Sequence, residues 1–141
     1  MGRFSCRVVA TGFLVAVCAA YVAAYSIDEK QVDPQKIYWG LPSGFEKPGE
    51  VRYQDIVTET PEYKELKDKK IERGTGRYWI LISQASDRAV RTIAQVGAES
   101  EYDLIAAEGY LGSLEPAIPA DDITELVIKT MEQNQKKASN R

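Results

Sequence analysis

Any chemistry in this chain falls to carboxylates, amines and phenols. Its 141 residues include no histidine, and both cysteines, Cys6 and Cys18, lie within the first 24 residues. A Ser-His-Asp triad is therefore impossible, and thiol catalysis, disulfide stapling and the common zinc sites are excluded from the rest of the chain. Asp, Glu, Lys and Tyr remain as candidate acids and bases, but no spacing among them singles out a pair. Gly74-Thr75-Gly76 comes nearest to a phosphate loop. It lacks the further glycine and the Lys-Ser/Thr ending that would seat a nucleotide, so a turn is the better reading. No catalytic residue, metal or cofactor is expected, and the chain reads as a binding or structural protein.

The first residues address the chain to a membrane. Arg3 and Arg7 precede an uncharged run from Val8 to Tyr25, the charged and apolar regions of an export signal. Val22-Ala23-Ala24 supplies small residues where a signal peptidase reads, so cleavage is expected after Ala24. An uncleaved anchor is the alternative, because 18 apolar residues lie at the lower edge of what spans a bilayer. Without Arg3 and Arg7, 16 of the 18 basic residues face 21 acidic ones. A net charge of about -5 argues against nucleic acid and against broad binding to anionic lipid. What remains is one small domain with a modest core, for which self-association would add stability.

Four regions follow from composition: an export signal or anchor (1–24), a Pro/Gly-rich tether (25–50), a folded domain (51–132) and a polar tail (133–141). The tether is punctuated by Pro34, Gly40, Pro42, Gly44, Pro48 and Gly49, which argues against regular structure. Its Trp39 and Phe45 are expected to fold back onto the domain or to meet a partner.

Val51 to Val57 reads as a strand of period two. Thr60 then caps a helix beginning at Pro61, with Glu62 in its first turn, carrying Tyr63 and Leu66 and stopping at Gly74-Thr75-Gly76. Beyond that turn, Trp79, Ile82, Ser86, Ala89, Ile93 and Val96 recur every three or four residues, which makes a helix returning against the first. Tyr78 to Ile82 is also aromatic and β-branched enough to be a strand, with Ser83 or Ser86 capping a shorter helix. Leu104 to Ala107 reads as a short buried strand. Asp121 or Asp122 caps a final helix with Ile123, Leu126, Val127 and Met131 on one face. The expected class is α+β: a small β-body, a short helical hairpin and a C-terminal helix.

This order resembles the OmpH/Skp family of periplasmic chaperones. The likeness rests on Val51-Arg52-Tyr53-Gln54-Asp55-Ile56-Val57, Thr60-Pro61-Glu62-Tyr63-Lys64, Glu101-Tyr102-Asp103-Leu104-Ile105 and Asp122-Ile123-Thr124-Glu125-Leu126-Val127-Ile128. The resemblance implies a periplasmic, chaperone-like homo-oligomer, a trimer, that binds unfolded or outer-membrane-destined polypeptides without catalysis. The alternative is a structural or assembly subunit of an envelope complex that uses the body as an oligomerisation module. The body and oligomer core would be Val51, Tyr53, Ile56, Leu104, Ile105, Ile123, Leu126 and Val127. Client or partner contacts would come from Tyr63, Leu66, Trp79 and Ile82 on the arm and from Trp39 and Phe45. The arms depart from the family. About forty residues separate the two strands, so each leg reaches some 25 to 30 Å, and the family's arms are basic whereas this chain is acidic.

Overall fold

A computed structural model describes residues 24–140; the expected signal, residues 1–23, lies outside them. The order is β1 (Ile37–Gly40), β2 (Pro48–Val51), α1 (Tyr53–Thr58), α2 (Pro61–Asp68), α3 (Gly76–Glu99), β3 (Leu104–Ala107), a 3-10 turn at Leu111–Ser113, β4 (Asp121–Asp122) and α4 (Thr124–Ser139). The class is α+β, with one four-stranded sheet in the order β1-β3-β2-β4. β3 runs antiparallel to β1 and parallel to β2, and β2 runs parallel to β4.

Alternation along β3 divides the core in two. Ile105 joins Val51, Ile56, Ala85, Ala89, Ile93, Val96, Ile123 and Val127 beneath the helices. Leu104 and Ala106 point the other way, into a second cluster with Ile27, Phe45, Leu111, Leu114 and Ile118. A strand buried on both faces reads as an unbroken apolar run, which is why Leu-Ile-Ala-Ala is recognisable in isolation.

The strand expected over Val51 to Val57 is corrected. Only Val51 is in a strand, and Tyr53–Thr58 is α1. Ile56 and Val57 are both buried, and neighbouring residues cannot share one face of a strand. On a helix, Tyr53, Ile56 and Val57 fall at i, i+3 and i+4 and do share a face. The segment read as a tether supplies β1 and β2 instead. Gly49 makes room there, since a Cβ would come within 2.8 Å of the Ile123 side chain and force it to shift. Pro48 takes the first position of its strand, where a missing N–H is tolerated.

The hairpin forms with unequal legs. Thr60 accepts a hydrogen bond from Tyr63 N at 3.2 Å and opens α2, with Pro61 at its first position. The helix stops at Asp68, six residues before the glycines. Ile71 N–H donates to the Leu66 carbonyl and Lys70 N–H to that of Lys67, with Lys70 at φ +48°; this is a Schellman ending with lysine where glycine is usual. α3 is one continuous helix of 24 residues capped by Thr75, so Tyr78 to Ile82 is helical and neither Ser83 nor Ser86 is a cap. Its length is about 36 Å against about 12 Å for α2.

The buried stripe of α3 is Leu81, Ala85, Ala89, Thr92, Ile93, Val96 and Gly97. Ala89, Ile93 and Val96 were expected; Trp79, at 56% exposure, turns out to solvent. At the cap of α4 and along it, Ile123, Val127 and Met131 are buried at i, i+4 and i+8, whereas Leu126 stays 41% exposed on another side.

Two substitutions probe these arrangements. Lys70→Gly removes a left-handed lysine and is expected to stabilise the fold by about 1 kcal/mol in chemical denaturation. Gly97→Ala gains up to about 1 kcal/mol of helix propensity, but its methyl overlaps the Trp39 indole. The clash wins, giving a net loss of about 1–3 kcal/mol and a changed near-ultraviolet dichroism from Trp39.

Candidate functional site

Acidic side chains near the sheet are occupied in holding backbone. Asp103 accepts from the amides of Glu46 at 2.6 Å and Lys47 at 2.9 Å, tying the β1–β2 loop to the start of β3. Glu50 accepts from Gly109 N at 3.1 Å and Leu111 N at 3.0 Å, closing the turn after β3. Asp122 accepts from Thr124 N at 3.0 Å at the start of α4, with the Arg52 guanidinium 3.3 Å away. The Thr124 hydroxyl accepts in turn from Arg52 N. Asp122 thus does much of the expected capping, although Ile123 occupies the cap position itself.

The hairpin is joined by charge. Arg88 of α3 holds both oxygens of Glu62 of α2, with Nε at 2.9 Å from each and Nη2 at 2.5 Å; Glu62 holds the guanidinium above its usual pKa. Near the tip, Glu65 Oε1 accepts from Lys69 Nζ at 2.9 Å and Arg77 Nη2 at 2.7 Å. Those bonds, Lys69 first, keep the Glu65 carboxyl below its ordinary range. The ionised Glu65 therefore links the last turn of α2 to the first turn of α3.

Beyond this clasp lie the exposed apolar residues of the arm. Trp79 and Ile80 are adjacent on α3 and are 56% and 59% exposed. Tyr78 meets Trp79 edge to face at 5.2 Å. Val90, 41% exposed, stands eleven residues on from Trp79, about three turns along the same side. Six cations (Lys64, Lys67, Lys69, Lys70, Arg73 and Arg77) share the tip with three carboxylates (Glu65, Asp68 and Glu72). An acidic chain thus carries a locally basic tip.

The expected contact residues are distributed differently. Trp79 is exposed; Tyr63, Leu66, Ile82 and Trp39 are half-buried; Phe45 is fully interior and belongs to the second core cluster. Of the expected body residues, Val51, Ile56, Leu104, Ile105, Ile123 and Val127 are buried within the single chain. Tyr53 is half-buried and stacks on Tyr38 at 5.5 Å. Leu126 remains on the surface, as does Leu41 at 71% exposure. Ile80 and Val90 were not foreseen. Position beside Trp79 would not have found Ile80, because neighbours on a helix lie about 100° apart and pairs such as Thr92–Ile93 and Val96–Gly97 are both buried on α3.

The arrangement offers binding surface. A polar groove of about 430 Å³ runs between α2, α3 and α4, lined by residues that include Glu62, Arg88, Arg91 and Asn134. No group of three or more potential metal ligands is found among the described residues, and no helix there is long and apolar enough to cross a membrane. Comparison with protein families, with curated proteins and with solved structures finds no significant match.

Asp122 makes acid stability measurable. Its carboxyl is held below the ordinary value, first by hydrogen bonding to Thr124 and further by Arg52. A carboxyl with a lower pKa in the folded chain stabilises the fold above the unfolded value of about 4, and that contribution disappears as pH falls through the folded value. Asp122→Asn is expected to lower stability at pH 7 and to flatten the loss between pH 4 and pH 2 in urea titrations.

Proposed function

We propose that this protein is a small exported, non-catalytic chaperone-like factor of the OmpH/Skp kind, binding unfolded or outer-membrane-destined polypeptides at the tip of its hairpin. One observation carries the reading: Trp79 and Ile80 stand side by side in solvent on a rigid helix, within a segment rich in cations. Exposed apolar surface of this kind has a use in recognition, and Trp is the side chain most often dominant at binding surfaces. The surrounding Lys and Arg favour segments that carry acids.

The unequal legs set the manner of binding. With α2 only about 12 Å long, a single chain grips a short segment and does not enclose a client. Self-association into a trimer would gather three tips around one client and raise their effective concentration. A second reading, an assembly subunit of the envelope, is supported by Leu41 and Leu126, which expose apolar surface on the body.

Light scattering of an unfolded outer-membrane β-barrel protein diluted from urea separates the two. Residues 25–141 are expected to suppress aggregation and to saturate at three chains per client. Trp79→Ser with Ile80→Ser should raise the concentration needed by roughly tenfold or more while leaving the melting curve near that of the parent. No suppression at any ratio, or suppression untouched by the double substitution, would exclude the tip and favour the assembly reading.

A further inference from the structure

The pattern of an export signal and the first tertiary contacts of the fold meet at one peptide bond. On one side stand Arg3 and Arg7, the uncharged run from Val8, and Val22 and Ala24 as the third and first residues before the bond. On the other side Tyr25 enters the fold at once. Its N–H donates to the Phe45 carbonyl at 2.6 Å, and Phe45 N–H donates back to the Tyr25 carbonyl at 2.9 Å. The two rings lie 6.0 Å apart. Two residues on, Ile27 N–H donates to the Pro42 carbonyl at 2.8 Å, and Ile27 and Phe45 are 6% and 2% exposed in the second core cluster. Ala24 itself is exposed.

We propose that the Ala24–Tyr25 bond is the processing site of an exported precursor and that the amino group released there becomes part of the fold, docked on the Phe45 carbonyl. In the cut, water adds its hydroxyl to the Ala24 carbonyl carbon, the C–N bond breaks, and the Tyr25 nitrogen takes up protons. The products at neutral pH are an Ala24 carboxylate and a Tyr25 ammonium. The ammonium keeps a donor for Phe45 and adds charge to that bond, and charge-assisted hydrogen bonds are the stronger kind.

The geometry also orders the events. A peptidase needs extended chain on both sides of the bond it cuts, and in the folded protein the downstream side is paired with residues 42–45. Processing therefore comes first and docking second. The inference rests on the export signal and the Tyr25–Phe45 pair and is independent of what the hairpin binds.

Three readings test it on the full-length chain exported into the envelope of a diderm bacterium and on purified material. Intact mass and N-terminal sequencing should give one species beginning at Tyr25; a retained leader or another start overturns the site. The chain beginning at Tyr25 should melt several degrees above one beginning at Ser26, and acetylation of the Tyr25 amino group should remove part of that difference. Equal melting of the Tyr25 and Ser26 chains, or no effect of acetylation, overturns the structural role of the new terminus. Purified signal peptidase should cut urea-loosened precursor at least roughly tenfold faster than folded precursor, and equal rates overturn the order of events.

Discussion

Strand β3 must be covered on both faces and along both edges, and the other elements meet that demand. Leu104, Ile105 and Ala106 are each fully buried, with Ile105 on the helix side and the other two opposite. Backbone groups in such a position have no water to turn to, so both edges have to be hydrogen-bonded. β1 takes one edge and β2 the other. Residues 37–51, punctuated by proline and glycine, thereby supply both strands that flank β3. Two of their glycines serve close approach: Gly40 lies against the Asp103 backbone, and at Gly49 the absent side chain leaves room for Ile123 at the cap of α4.

Charge is partitioned between holding and presenting. Around the sheet, Glu50, Asp103 and Asp122 accept backbone N–H groups that turns and a helix start would otherwise leave unsatisfied. At the hairpin, Glu62 and Glu65 bridge α2 to α3 through Arg88 and Arg77. The partly shielded Glu62–Arg88 pair, bidentate and joining two helices, contributes more than the exposed one, because solvent and salt weaken the latter. Together they hold the short leg against the long one, leaving Trp79 and Ile80 on a helix whose position is settled. Apolar side chains on a rigid support lose less entropy on binding than the same residues on a loop.

Elements defined by neighbouring residues were legible. Thr60-Pro61 opened α2 as its cap chemistry required, the spacing of Ala89, Ile93 and Val96 marked α3, and the apolar run at Leu104 marked β3. The failures lay where two periods fitted the same letters. Val51 to Val57 alternates well enough for a strand, yet Ile56 and Val57 are buried in the same cluster beneath the helices, and of the two periods only the helical one puts neighbours on a shared face. The end of α2 was missed because a lysine took the left-handed position usually given to glycine. For the candidate site, Trp79 was legible as a residue that matters but not as an exposed one, and Phe45 was legible as large and apolar but not as interior.

By itself, the amino-acid sequence determined the α+β class, the cap of α2 and the absence of thiol and imidazole chemistry from the residues after Cys18, while the continuity of α3 through Tyr78 to Ile82 was settled only by the structure. The first three depend on residue type or on contacts within a turn or two of helix. Only the tertiary structure decided which segments became the partners of β3 and which side of α3 was buried. Those outcomes depend on pairings between residues far apart in the chain, such as Gly97 with Trp39, Gly49 with Ile123 and Tyr25 with Phe45. Local propensity carries no information about such pairings, because packing between distant segments selects among conformations that are locally almost equal in energy.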